Sequence, residues 1–248
     1  MNNKAGKIML VGAGPGDPEL LTLKAVKALQ SADVILYDAL VSKEVLEMSR
    51  AEAEKIPVGK RGHGQSCRQA DINEMMLKLA SAGKNVVRLK GGDPLVFSRA
   101  GEEIEAARAA GIEVGIISGI TTAQAAAAVL GIALTHRQLA RRLQFVTGHD
   151  HKGDLPQDID WDALADQNAT TVIYMPKKTL AAFSEKVQHF GLSPATPAVA
   201  VMDVTLPTQR MVAATIATLP HHSDVVNMEG AVLVIIGEVV SSIINSKN

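Results

Sequence analysis

Residues 86–94 read Val-Val-Arg-Leu-Lys-Gly-Gly-Asp-Pro, a strand-forming run that stops in two glycines, an acid and a proline. Adjacent glycines bring bare backbone close to a ligand because no Cβ stands in the way. Pro94 then fixes the exit from the turn. Open α/β sheets bind their ligands beyond the carboxyl ends of the strands. Gly91, Gly92 and Asp93 therefore mark a small-molecule site, provided the chain around them alternates strand and helix.

It does. Residues 7–11 read as a strand, and 18–31 as a helix with Asp17 as N-cap and Pro18 at its first position. Strands follow at 33–37, 54–58, 86–89 and 114–117, with helices at 42–48, 69–82 and 101–110 between them. Such alternation implies parallel strands with helices on both faces. A second series has strands at 143–146, 170–175, 198–201 and 232–236, with helices near 179–189 and 213–219. Residues 149–168 read as a surface loop leading to a short helix. The parse is two α/β domains, residues 1–118 and 119–248.

Composition narrows the partners. A formal net charge of −1 and 3% aromatic residues give neither the basic field nor the stacking platforms of a nucleic-acid binder. The longest apolar segments fall short of the roughly 20 residues that span a bilayer, and residues 1–7 lack the apolar stretch of a signal peptide. Cys67 is the single cysteine, which suits a reducing compartment. The expectation is a soluble, cytoplasmic protein with no nucleic-acid or membrane partner.

Several further segments combine reactive side chains with turn residues. Gly12-Ala13-Gly14-Pro15-Gly16-Asp17 sits at a strand-to-helix junction, but its third glycine comes one residue early for a dinucleotide loop. It reads as a ligand loop or as a tight turn packing helix on strand. Gly59-Lys60-Arg61-Gly62-His63-Gly64 suits carboxylate or phosphate recognition, or is a solvated loop. Arg99 and Glu102 share a helix face, either as site residues or as helix-start electrostatics. Thr135-His136-Arg137 ends an alanine-rich helix, as site residues or as charges that complement its C-terminus, and Thr147-Gly148-His149 closes a strand as a site edge or equally as an ordinary loop. His63 and Cys67 find no further ligands, so no metal is expected.

Together the segments carry a resemblance. Residues 12–25, opening Gly-Ala-Gly-Pro-Gly-Asp-Pro-Glu, and residues 87–94 are similar to the two signatures of the tetrapyrrole methylases. Tyr37-Asp38, Gly59-Lys60-Arg61, Gly119-Ile120-Thr121, Leu134-Thr135-His136-Arg137 and Thr147-Gly148-His149 resemble the members that act on uroporphyrinogen III. The likeness runs from about residue 7 to 240, without the dehydrogenase/ferrochelatase segment fused to some members, which implies methyl transfer alone.

The resemblance implies two α/β domains with the cofactor cleft between them, and a homodimer. It implies two methyl transfers from S-adenosylmethionine (SAM), at C2 and C7, giving precorrin-2 and S-adenosylhomocysteine. The cofactor contacts it implies are Pro15, Gly91, Gly92, Asp93, Val96, Thr121, Thr122, Met175, Val204, Ala231 and Val232. Catalytic roles fall on Asp38, Lys60, Arg99 and Glu102, and contacts with the tetrapyrrole on Arg61, Arg99, Arg137, His149 and Met175. Ala39 stands where many members carry Arg, Ser98 and Ala100 where glycines are usual, and Pro176 where a glycine follows Tyr-Met.

Overall fold

All five residues of the strand Val86–Lys90 (β4) are buried, as expected for a strand covered on both faces. The computed structural model describes residues 6–59 and 67–245, and it divides the chain into two compact units, Met1–Thr122 and Ala123–Asn248.

In the first unit β1 (Ile8–Gly12), β2 (Val34–Tyr37), β3 (Glu54–Pro57), β4 and β5 (Val114–Ile117) form one sheet in the order β3-β2-β4-β1-β5. Every pairing is parallel. Alternate residues point to opposite faces, and each face has its own core. Ile8, Leu10, Val34, Leu36 and Val86 pack with Ile72, Met76 and Ala80 of α3 (Gln69–Ser81) and with Ala100 and Ala107 of α4 (Ala100–Ala109). On the other face Val11, Ile35, Val87 and Leu89 meet Ala25 and Leu29 of α1 (Leu23–Ser31), together with Val45 and Leu46 of α2 (Lys43–Glu47).

The helix expected over 18–31 is broken. Asp17 caps a single 3-10 turn, Pro18–Leu20, by accepting the Glu19 N–H at 2.9 Å, and Thr22 caps α1 by accepting the Ala25 N–H at 3.1 Å. Two cap residues in one stretch define two helix starts. Residues 119–122, placed by sequence at the head of the second domain, group with the first unit. The Gly119 N–H is bound there by Asp93.

The second unit holds β6 (Arg142–Thr147), β7 (Ala169–Tyr174), β8 (Pro197–Met202), β9 (Arg210–Thr215) and β10 (Val232–Ile236), in the order β6-β7-β10-β8-β9. Here the expectation of helix near 213–219 fails. Residues 210–215 form β9, antiparallel to β8, and the only helical turn is Leu219–His221. Alanines and threonines at 213–215 pair with the Val-Ala run of β8, so tertiary pairing overrides helix propensity. The sheet is mixed: β6 and β7 are parallel, whereas β10 runs antiparallel to β7 and β8. Its core joins Ile173, Ala198, Ala200 and Val234 to Leu180, Phe183 and Val187 of α7 (Leu180–His189) and to Trp161 of α6 (Trp161–Leu164). The remaining helices are α5 (Thr122–Leu130), α8 (Ser223–Val226) and α9 (Ser241–Asn245). Among the described residues no helix is long and apolar enough to cross a membrane.

Candidate active site

Three loops leave the adjacent carboxyl ends of β1, β4 and β5, and backbone bonds fasten them together. The Gly92 N–H donates to the Gly14 carbonyl at 2.7 Å and the Gly14 N–H to the Gly92 carbonyl at 3.1 Å. Both glycines have positive φ, +69° and +68°, which side chains disfavour. A Cβ on Gly12 would lie 2.5 Å from the Gly119 nitrogen, and one on Gly119 would lie 2.3 Å from the Gly92 carbonyl oxygen. Glycine is required at these positions because backbone meets backbone.

Asp93 completes the lock. Its Oδ1 accepts the Leu95 N–H at 2.8 Å and its Oδ2 the Gly119 N–H at 3.0 Å. The carboxylate that sequence assigned to the cofactor therefore frames the loops first. Beside it, a Cβ on Gly91 would sit 3.1 Å from the Cβ of Leu40, so this glycine lets the loop after β2 pack closely against the turn. Pro15, Val96, Thr121 and Thr122 are half-buried around the same loops.

Asp38, two residues before Leu40, follows β2. Arg88 of β4 reaches it from the interior through Nη2. The same guanidinium donates Nε–H to Glu103 Oε1 at 2.9 Å, and its Nη1 donates to the carbonyls of Leu36 and Leu89 at 3.4 and 3.2 Å. Glu103, on α4 and without solvent exposure, also accepts Lys90 Nζ at 2.9 Å on each oxygen and Gln69 Nε2 at 3.1 Å. Burial pushes the Lys90 ammonium below the ordinary lysine range, helped by the Arg88 charge and opposed by Glu103 and Asp38. Buried charges persist only when paired and hydrogen-bonded, and this string of alternating sign meets both conditions.

At the rim, Arg99 pairs with Glu102 through two bonds of 2.8 Å, both side chains being largely exposed. The Arg99 hydrogen bond holds the Glu102 carboxyl below the usual carboxylate range, and Glu102 raises Arg99 in turn. Arg99 and Phe97 are both left-handed, with φ of +60° and +48°. Ser98 between them donates its hydroxyl to the Pro94 carbonyl and closes the turn. Leu40, Leu95 and Phe97 expose apolar surface alongside.

The second unit has its own strained edges. Met175 (φ +58°) follows β7 and is exposed, while Asp203 (φ +50°) and Thr205 (φ +67°) bracket Val204 after β8. Asp203 fixes the start of β10 by exchanging bonds with Ala231, N–H to carbonyl at 2.9 Å and Ala231 N–H to Oδ1 at 3.0 Å. Val204 and Val232 are buried, and Ala231 between β8 and β10 is exposed. Thr147 Oγ1 donates to the His149 carbonyl at 2.9 Å, and His149 Nδ1 lies 2.8 Å from the Asp150 carbonyl. Arg137 is exposed, and its carbonyl accepts Arg141 Nε–H at 3.0 Å. Every positive-φ non-glycine among the described residues lies in a loop beyond the carboxyl end of a strand, where strain accompanies function.

Lys60 and Arg61 lie outside the described residues, as does His63. No group of His, Cys, Asp and Glu able to hold a metal occurs among the described residues. Sequence reading missed Arg88, Lys90 and Glu103. Their signal was the charge at alternate positions 88 and 90 inside a buried strand, facing an acid on the next helix.

The family model of the tetrapyrrole (corrin/porphyrin) methylases matches residues 7–220. A siroheme synthase of Neisseria meningitidis serogroup B is 47% identical over 239 residues, 96% of this chain and 49% of that protein. The chloroplastic S-adenosyl-L-methionine-dependent uroporphyrinogen III methyltransferase of Arabidopsis thaliana is 47% identical over 235 residues, 95% of this chain and 64% of that one. The chain spans about half the length of most of the curated relatives it matches. Among solved structures, uroporphyrin-III C-methyl transferase from Thermus thermophilus, complexed with S-adenosyl homocysteine, has a TM-score of 0.83 at 37% identity, covering 96% of this chain and 100% of that one. A cobalt precorrin-4 methyltransferase has a TM-score of 0.83 at 27% identity, covering 94% of this chain and 95% of that one. With its two sheets, its interlocked glycine loops and a family match over most of its length, the chain belongs to the tetrapyrrole methylases.

Proposed function

We propose that the chain is a C-methyltransferase that methylates uroporphyrinogen III from SAM at C2 and then C7, giving precorrin-2. The observation that carries this reading is the Asp38 carboxylate, held by the buried Arg88 guanidinium at the carboxyl end of β2, in the same sheet as the interlocked Gly14 and Gly92 turns. Bare glycine backbone fits a bulky, polar cofactor lying flat against it. SAM supplies an electrophilic methyl group on a sulfonium centre.

The protein's part is alignment and proton removal. Gly14 and Gly92 hold their turns together through backbone bonds, and Asp93 ties in the segment after β5, so that reacting atoms meet in line. The pyrrole carbon forms the new bond to the methyl carbon as the carbon–sulfur bond breaks. The macrocycle gains a methyl group and loses a proton, and Asp38 accepts that proton directly or through water. Arg99 exchanges Glu102 for a substrate carboxylate, a bidentate partner suited to its fork. Lys60 and Arg61 join the catalytic and substrate sets through the family resemblance.

The resemblance further supports a homodimer, and the single Cys67 suits a reducing compartment such as the cytoplasm. Anaerobic incubation with SAM and uroporphyrinogen III, followed by mass spectrometry, tests the reaction. Addition of two methyl groups supports it; a protein that binds SAM and transfers none overturns it.

A further inference from the structure

The string Lys90–Glu103–Arg88–Asp38 runs from the interior to the surface. Side-chain exposure is 1% at Lys90, 0% at Glu103, 3% at Arg88 and 29% at Asp38. Only the Asp38 end opens to solvent. As a stabilising device the string is poor, because buried ion pairs are often matched or bettered by apolar residues of similar volume. The same face of the sheet accepts Val86, Leu10 and Leu36 as packing residues, so apolar side chains suit this layer.

The geometry of Arg88 explains what the string does. Its Nε and Nη2 are split between two carboxylates, and its Nη1 is anchored on two carbonyls of neighbouring strands. The guanidinium plane is thereby fixed on three sides. Glu103 is fixed in turn by Lys90 and by Gln69 from α3. Asp38 receives one rigid donor from the protein interior and keeps part of its carboxylate exposed to solvent.

We propose that Arg88 is a positioning residue for the Asp38 carboxylate, and that Glu103 and Lys90 hold Arg88 in place for that task. The inference rests on the reading that Asp38 accepts the departing proton. The charged groups around this end are Arg88 on β4, Glu103 on α4 behind it, Lys90 beyond, and the Arg99–Glu102 pair at the rim; Lys60 and Arg61 lie outside the described residues.

The test uses Arg88→Gln, Arg88→Lys, Glu103→Gln and Asp38→Asn in the full chain. Each is measured for melting temperature, SAM affinity by calorimetry, and kcat and KM for uroporphyrinogen III across pH. Arg88→Gln removes the cation behind Asp38. Its kcat falls roughly 100-fold, the scale of a misplaced catalytic group, with SAM affinity unchanged. The acid limb of its kcat/KM profile moves to higher pH, the direction expected on losing a neighbouring opposite charge. Arg88→Lys returns the acid limb towards wild type but recovers only part of kcat, since the fork is lost. Glu103→Gln removes one of the two anions that balance Arg88 and Lys90 and moves the acid limb the opposite way, to lower pH.

Variants that fold and lose stability while the acid limb stays put would show a purely structural role and overturn the inference. Should Arg88→Gln fail to fold, the Glu103→Gln shift decides: present, it supports; absent, it overturns. Asp38→Asn separates the two levels. Wild-type turnover in Asp38→Asn sinks the reading of Asp38 itself. An inactive Asp38→Asn beside unmoved Arg88 and Glu103 profiles sinks the positioning inference alone.

Discussion

The backbone N–H of Gly119 donates to the Asp93 carboxylate at 3.0 Å, tying the segment after β5 to the turn after β4. The other carboxylate oxygen holds the Leu95 N–H at 2.8 Å. Asp93→Ala loses both charge-assisted bonds and costs about 2 kcal/mol of stability in chemical denaturation. Asp93→Asn keeps the shape but turns an amide donor towards one N–H, so it falls between. SAM affinity follows the same order; a fully stable Asp93→Ala would show that the loops hold without their acid.

The glycines separate into required and dispensable ones. Gly12→Ala and Gly119→Ala place a Cβ within 2.5 and 2.3 Å of fixed backbone atoms, so neither yields a folded first unit by circular dichroism. Gly101, in the first turn of α4, has nothing within 4 Å of its absent Cβ. Gly101→Ala therefore raises stability by up to about 0.5–1 kcal/mol, the ordinary helix-propensity gain.

Arg99 gives two substitutions with one functional outcome. Its ion pair with Glu102 is exposed and contributes at most about 0.5 kcal/mol. Arg99→Ala leaves the melting temperature nearly unchanged and lowers kcat/KM for uroporphyrinogen III roughly tenfold, the scale of one charge-assisted contact. Arg99→Gly lowers kcat/KM equally but stabilises the fold, because glycine relieves the φ of +60°. Unchanged kcat/KM in both would remove Arg99 from the substrate site.

Asp33 supplies an acid-sensitive clasp at the opposite end of the first sheet. Its carboxylate accepts the Asn85 N–H at 2.8 Å and Arg50 Nη2 at 2.5 Å. The Asn85 hydrogen bond, reinforced by Arg50 against partial desolvation, holds its pKa below the ordinary carboxylate value. A depressed carboxylate stabilises the fold above its unfolded-state pKa, near pH 4, and the stabilisation is lost as pH falls through the folded value. Asp33→Asn lowers stability by about 1 kcal/mol at neutral pH. It also flattens the acid limb of a stability titration below pH 4; an unaltered limb would assign the acid sensitivity elsewhere.

Much of this was legible in the chain. Strand signals in the first unit survive because parallel strands buried on both faces read as plain aliphatic runs, whereas the Thr22 cap that splits the helix expected over 18–31 was missed. The turn at Gly91 and Gly92 was readable, since two adjacent glycines at a strand end mark a change of chain direction, and Gly92 has a φ of +68°. The antiparallel β9 was not, because Ala213, Ala214 and Thr215 carry no intrinsic strand signal and gain one only by pairing with Thr215's neighbour Pro197 and the rest of β8. The structural duty of Asp93 and the string behind Asp38 were hidden for a related reason. Both depend on which residues meet across strands far apart in sequence.

The sheet order has a consequence for the nascent chain. β1 precedes the other strands of its sheet in the chain, yet it lies between β4 and β5 and pairs only with strands that start at Val86 and Val114. Its apolar residues therefore wait unpaired on the ribosome until almost the whole first unit has emerged. Such late, non-local closure makes folding slow and leaves sticky intermediates. Truncation anywhere before β5 should yield not a smaller domain but an aggregate.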